Sequence, residues 1–347
     1  TELFPALPFE EATVSGPVRL VGDQRDLDLS ASLSGTAGGI EVEGSLAFGE
    51  PMRFDINGSV RAFAAGMILR PELPTTGPLT GSFALNGTTQ QFSFDVDLTQ
   101  AGGRFDLAGS VTMGSEEPVF QVAGQVNNFR LGSLMGSPEL FPDPMSGTVA
   151  VEGGDGTPYV FDFDLAGAVG QLDLAGFYSA GEIPSYEARG NIIGLDLSRI
   201  PFAAALPPTL LTGAVDIRGR GITPETIEGS FGFDLTNSTV SGLPLDMALG
   251  RVDISGGVMV IDTLDIALEE TQLTAVGSWG LTTPAPEPLR FAFNSPDLTF
   301  LRRMLAPTDL VPPEVAGSIQ ATGQVAGSFR YPQITTDLTA RSLRYLD

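Results

Sequence analysis

Few residues in this chain are of a kind that does chemistry. The acid pairs Glu116-Glu117 and Glu269-Glu270 come nearest to a general acid and base. Adjacent residues of a strand point to opposite faces, and adjacent residues of a turn face water, so neither pair converges on one substrate atom. Gly153-Gly-Asp-Gly156 is similar to a calcium-binding nonapeptide, but such ligand sets need tandem copies and this one stands alone beside Pro158. It reads as a turn. Asn57-Gly-Ser59, Asn86-Gly-Thr88 and Asn237-Ser-Thr239 match the glycosylation sequon, and the first two are expected to be Asn-Gly turns. The chain has no Cys and no His, which excludes disulfides, thiolate chemistry, the commonest general base and the commonest neutral metal ligand. Neither an enzyme nor a bound cofactor is expected.

What remains is a pattern of apolar residues. Phe94, Val96 and Leu98 alternate with Asp95 and Asp97, and Phe161, Phe163 and Leu165 alternate with Asp162 and Asp164. Period 2 puts the apolar set on one face of a strand and the acids on the other. Phe83 and Leu85, Phe105 and Leu107, Leu172 and Leu174, Phe231, Phe233 and Leu235, and Phe291 and Phe293 follow the same parity. A sheet with one such face covers it with another sheet, curls on itself, or holds an apolar ligand. Phe94, Phe163 and Phe233 are expected at matching places along one side of that face.

The elements that carry this pattern repeat. Gly16, Gly81, Gly147, Gly213 and Gly317 each open a seven-residue frame that has apolar residues at its third and fifth positions and closes on Gly22, Gly87, Gly153, Gly219 or Gly323. The units are therefore approximately 16–80, 81–146, 147–212, 213–316 and an incomplete 317–347. The fourth is longer, and strand-like sequence from Thr239 to Thr274, including Val258–Ile261 and Leu264–Leu268, fills the extra length. Pro51, Pro118, Pro184 and Pro288 each introduce a further strand. The Leu-rich segments Met67–Pro74, Leu131–Pro142, Ile200–Pro208 and Leu298–Pro313 have helical spacing for a few turns and stop at Pro. Each unit is too thin for its own core, so the spacing predicts one continuous stack that buries what no unit buries alone. The expected fold is all-β: an elongated, curled repetitive sheet, solenoid-like and open as a groove, with short helical turns at repeat ends.

The 42 acids outnumber the 18 bases, all of them Arg, for a net charge of −24. Nucleic acid, which needs a basic footprint, is excluded as a partner. Anionic membrane surfaces repel such a segment, so membrane contact is expected only through parts outside it. No run of 18 apolar residues is present to cross a membrane as a helix. The sequence begins at Thr1 and stops within a repeat, and is expected to be an excerpt of a longer protein.

The stretch Gly323–Tyr345, in which a Gly-flanked strand leads to Pro332, a β-branched strand and a final Leu, resembles a phrase of the AsmA-like, TamB-like family of bacterial envelope proteins. The Leu-rich segments followed by Leu79-Thr-Gly81 and Leu211-Thr-Gly213 resemble it too. The likeness is a style of repeat across the whole chain and includes no catalytic signature. It implies a long β-groove, folded like a taco shell, in a periplasmic protein anchored in the inner membrane of a diderm bacterium. It also implies that the seventeen apolar residues named above line a path for phospholipid acyl chains between the two membranes. An outer-membrane β-barrel assembly protein is the implied protein partner, through the translocation and assembly module. Two other roles compete with lipid carriage: a scaffold for outer-membrane barrels, and a structural filament.

Overall fold

The computed structural model describes residues 14–23, 25–64, 78–100, 102–113, 118–130, 143–199, 207–305 and 314–346. The all-β expectation holds: the described residues form twenty-one strands, one six-residue helix and one 3-10 turn, in an open, curled antiparallel arrangement. The chain divides into two compact units, Thr1–Ala168 and Val169–Asp347.

In unit 1 the strands are β1 (Val14–Ser15), β2 (Val18–Asp23), β3 (Asp26–Gly35), β4 (Gly38–Ala47), β5 (Arg53–Phe63), β6 (Leu79–Thr88), β7 (Gln91–Gln100), β8 (Gly103–Met113), β9 (Pro118–Phe129), β10 (Met145–Gly154) and β11 (Thr157–Gly167). Both β1 and β2 pair with β3, so Gly16-Pro17 only interrupts one edge strand, and from β2 onward each strand pairs antiparallel with the next.

Unit 2 contains β12 (Gly170–Ser179), β13 (Ser185–Leu195), β14 (Thr209–Arg220), β15 (Glu228–Val240), β16 (Leu243–Ser255), β17 (Val258–Leu268), β18 (Thr271–Gly280), β19 (Leu289–Ser295), β20 (Glu314–Ser328) and β21 (Tyr331–Leu346). These too form an antiparallel meander. The 3-10 turn Leu197–Arg199 follows β13, and helix α1 (Phe300–Leu305) follows β19.

Register turns the alternation of single strands into rows. In unit 1, Ala31, Val42, Gly58, Phe83, Val96, Leu107, Gly124, Val149 and Phe163 are successive cross-strand partners from β3 to β11. Two residues along, Leu29, Gly44, Ile56, Leu85, Phe94, Gly109, Val122, Val151 and Phe161 form a parallel row. In unit 2, Leu174, Gly190, Val215, Phe233, Gly250, Leu264, Ala275, Phe291 and Gly323 make the equivalent set. A one-residue slip would exchange the faces of a whole strand, so this match fixes the pairing.

The Gly frames take their meaning from this register. Gly147 has φ of 150°, and a Cβ there would lie 1.9 Å from the Asp164 carbonyl oxygen of the neighbouring strand. Only a residue without a Cβ lets β10 and β11 approach in this conformation. Gly147→Ala is expected to cost about 3 kcal/mol, read from the urea midpoint. Gly156→Asn, in a turn with open space around it, should shift the midpoint far less.

The extra length of the fourth repeat is a hairpin, β16 and β17. Val258–Ile261 and Leu264–Leu268 are one strand interrupted by an irregularity between Ile261 and Leu264. Two expected Asn-Gly turns are corrected: Asn57 and Gly58 lie inside β5, and Asn86 and Gly87 inside β6. Local turn chemistry yields there to packing, because Gly58 lies under the Phe83 ring and Gly87 between Phe54 and Phe92. Asp155-Gly156 is the turn expected between β10 and β11, with φ of 48° and 74°. Of the Leu-rich segments, Met67–Pro74, Leu131–Pro142 and nearly all of Ile200–Pro208 lie outside the described residues, while the fourth supplies α1.

Candidate functional site: an apolar sheet face

All seventeen apolar residues singled out in the sequence lie on one face of their unit. Phe83, Val96, Leu107 and Phe163 share one row of unit 1, Leu85, Phe94 and Phe161 the next, and Leu98, Phe105 and Leu165 the outermost. In unit 2, Leu174, Phe233 and Phe291 share a row, Leu172, Leu235 and Phe293 a second, and Phe231 lies one row further along. Phe94 and Phe163, expected at matching places, fall in neighbouring rows. The partner of Phe94 by row is Phe161, because the repeat aligns Phe94-Asp-Val with Phe161-Asp-Phe.

Several rings lie down on the sheet. Phe83 is the cross-strand partner of Gly58, Phe94 of Gly109, Phe233 of Gly250 and Phe291 of Gly323. In each pair the ring tip covers the glycine, at 2.3–2.9 Å from where a Cβ would stand. The aromatic side chain fills the gap its partner leaves, giving a smooth apolar floor and not a row of protruding rings. Phe161 and Phe163 stack at 5.1 Å. The four covered glycines escape a search for apolar residues, although their parity in alternating strands marks them as inward-facing.

Burial is uneven across this face. Fifteen of the seventeen residues are half-buried, whereas Leu165 and Leu235 are only 0% and 8% exposed. Most of the large buried side chains gather at one edge of each unit. In unit 1 these include Val60, Val126, Phe129, Met145 and Leu165, with Phe105 meeting Phe129 edge to face at 5.2 Å. In unit 2, Ile192, Leu235, Leu243, Leu245, Ala248 and Leu268 close around Leu298 and Phe300 of the α1 segment. The Ser241 hydroxyl donates to the Met304 carbonyl at 3.0 Å and holds that segment down. In each unit two Leu-rich connections leave and rejoin the strands at its sealed edge, between β5 and β6 and β9 and β10 in unit 1, and between β13 and β14 and β19 and β20 in unit 2.

One carboxylate fastens the sealed edge of unit 2. Asp196 accepts from the Ser198 hydroxyl at 2.7 Å and from the backbone N–H groups of Ser198 and Thr209, with Arg199 3.7 Å away. Burial pushes its pKa up, but these hydrogen bonds and the guanidinium outweigh burial and hold it below the usual carboxylate range. A depressed value stabilises the fold above the unfolded pKa of about 3.9, and that contribution fades as pH falls through the folded value. Asp196→Asn should therefore unfold at lower urea than the parent at pH 7, with the gap closing in acid.

The opposite face is charged and wet. Arg104 grips Asp97 through two hydrogen bonds of 2.8 and 2.7 Å, and Arg218 grips Glu187 similarly. A cavity of about 380 Å³ on this face is bordered by Ala214, Asp216, Gly232, Asp234, Arg251 and Thr263. Comparison with protein-family models, with curated proteins and with solved structures finds no match. The apolar face itself, half-open along its length and closed at one edge, is the arrangement left to explain.

The edge opposite the seal carries residues that a search for Phe and Leu alternation missed. Tyr159 stacks with Phe120 in unit 1, and Tyr178 and Tyr186 are cross-strand partners in unit 2, where Trp279 lies opposite Met259. The Tyr186 hydroxyl donates to the Gly221 carbonyl at 3.1 Å, and burial raises its pKa. Their signal in the sequence is position: each stands near a strand end, on the inward parity.

Proposed function

We propose that this chain is a segment of an envelope protein of the AsmA-like, TamB-like kind, and that its apolar face carries or shields phospholipid acyl chains between the inner and outer membranes of a diderm bacterium. The observation that carries this reading is the run of half-buried Phe, Leu, Val and Gly rows, unbroken by an inward charge across nine strands in each unit. A contiguous apolar surface left open to water marks an interaction site, and its chemistry selects an apolar guest. Each methylene that leaves water for this floor contributes about 0.8 kcal/mol, so transfer needs no reacting residue. The chain sits in the periplasm in this reading, and its membrane contacts lie elsewhere in the protein.

Organic extraction of protein purified from envelopes tests it. Co-purifying phospholipid is the expected result. A chain that yields none, and takes up none from vesicles, contradicts the reading.

A second reading rests on β21. Among the described residues this strand pairs on one side only, and Ile334 and Leu338 are 64% and 59% exposed. Such an edge suits strand addition by an outer-membrane barrel or its assembly protein. Crosslinks from β21 to a nascent barrel would favour it.

A further inference from the structure

In unit 2 the two edges of the apolar face differ in kind as well as in burial. The sealed edge is apolar without a Tyr or Trp in its buried cluster, closed by Leu243, Leu298 and Phe300. At the other edge the inward row runs Tyr178, Tyr186, Gly219, Gly229, Ile254, Met259 and Trp279, and Phe329 of the β20–β21 turn packs on the indole at 5.6 Å. Tyr and Trp join an apolar ring to a polar donor, and at a boundary between hydrocarbon and water they settle at the level of the head groups. Tyr178, Tyr186 and Trp279 stand where the face meets solvent. The Trp279 indole N–H is enclosed and donates to no acceptor among the described residues. The rows span six residues between the edges, about 20 Å along a strand. That depth is similar to the hydrocarbon of one bilayer leaflet, about 15 Å.

Charge narrows the guest. Glu182, Glu225 and Glu287 stand exposed in turns on this edge. Arg218 and Arg220 point to the other face and are held by Glu187 and Glu228, while Arg330 stands exposed in the β20–β21 turn of this edge. An anionic head group would meet one arginine among three acids, whereas an ammonium group beside a phosphate can set its cation among the carboxylates and its phosphate near Arg330.

We propose that a zwitterionic phospholipid lies along the strands of unit 2 with its head group at the Tyr178–Tyr186–Trp279 edge and its chain ends towards α1. This rests on the lipid reading above and adds an orientation and a head-group class to it.

Trp279 is the chain's single tryptophan, so its fluorescence reports on this edge alone. The full chain is loaded from phosphatidylethanolamine vesicles brominated either near the acyl carbonyl or near the methyl end. Loss of most Trp279 emission with the first lipid, and little with the second, is the expected result. Stronger quenching by the methyl-end bromines reverses the orientation and overturns the proposal. Uptake of phosphatidylglycerol equal to that of phosphatidylethanolamine overturns the head-group class. Absence of any extracted phospholipid after loading instead removes the lipid reading itself, and with it this inference.

Discussion

Leu165→Asp is expected to unfold unit 1. The side chain is 0% exposed, at the sealed edge opposite Gly147. Removing a buried Leu side chain costs about 2–5 kcal/mol through lost transfer energy and the cavity left behind. A carboxylate placed there gains no cation within the sealed row, so the combined penalty exceeds about 4 kcal/mol, a large part of a domain's whole stability. Urea titration of Leu165→Ala beside Leu165→Asp separates packing from charge. A Leu165→Asp protein with an unchanged midpoint would contradict the sealed edge.

Phe163→Asp is expected to do something different two residues along the same strand. Phe163 is half-buried and stacked on Phe161, so its loss costs only about 1–2 kcal/mol of burial. Water reaches the new carboxylate, and the remaining rows of unit 1 hold the sheet together. Circular dichroism should retain the strand signal while lipid bound at this position is lost, because an unpaired charge lies in the path of the acyl chains. An unfolded Phe163→Asp protein would identify the face as ordinary core. A folded one with undiminished lipid would remove its function.

Much of this contrast was legible in the sequence, and its decisive part was not. Alternation at Phe94-Asp95-Val96-Asp97 assigns faces because period 2 is a property of the strand itself, and the Gly frames mark the strands because the register demands residues such as Gly147. Residues that depend on a neighbour far along the chain are another matter. Nothing local in Asn57-Gly58 says that Phe83, 25 residues on, will cover the glycine and keep it in a strand. Leu165 and Phe163 have the same parity and similar hydropathy; only the arrival of β10 and the sealed edge separates core from open floor. Tyr186 and Trp279 gain their meaning the same way, from a shared edge that appears once ten strands are in register.

The most direct test of the account is site-specific photocrosslinking at neighbouring positions on opposite faces. A photoreactive residue replaces Phe94 or Asp95 in unit 1, and Phe233 or Asp234 in unit 2, in the full chain within living envelopes. Mass spectrometry then identifies what each position has captured. The account predicts phospholipid adducts at 94 and 233 and none at 95 and 234, the period of the strand written into the ligand. Adducts spread equally over both faces, or absent from 94 and 233 in a folded protein, would contradict it.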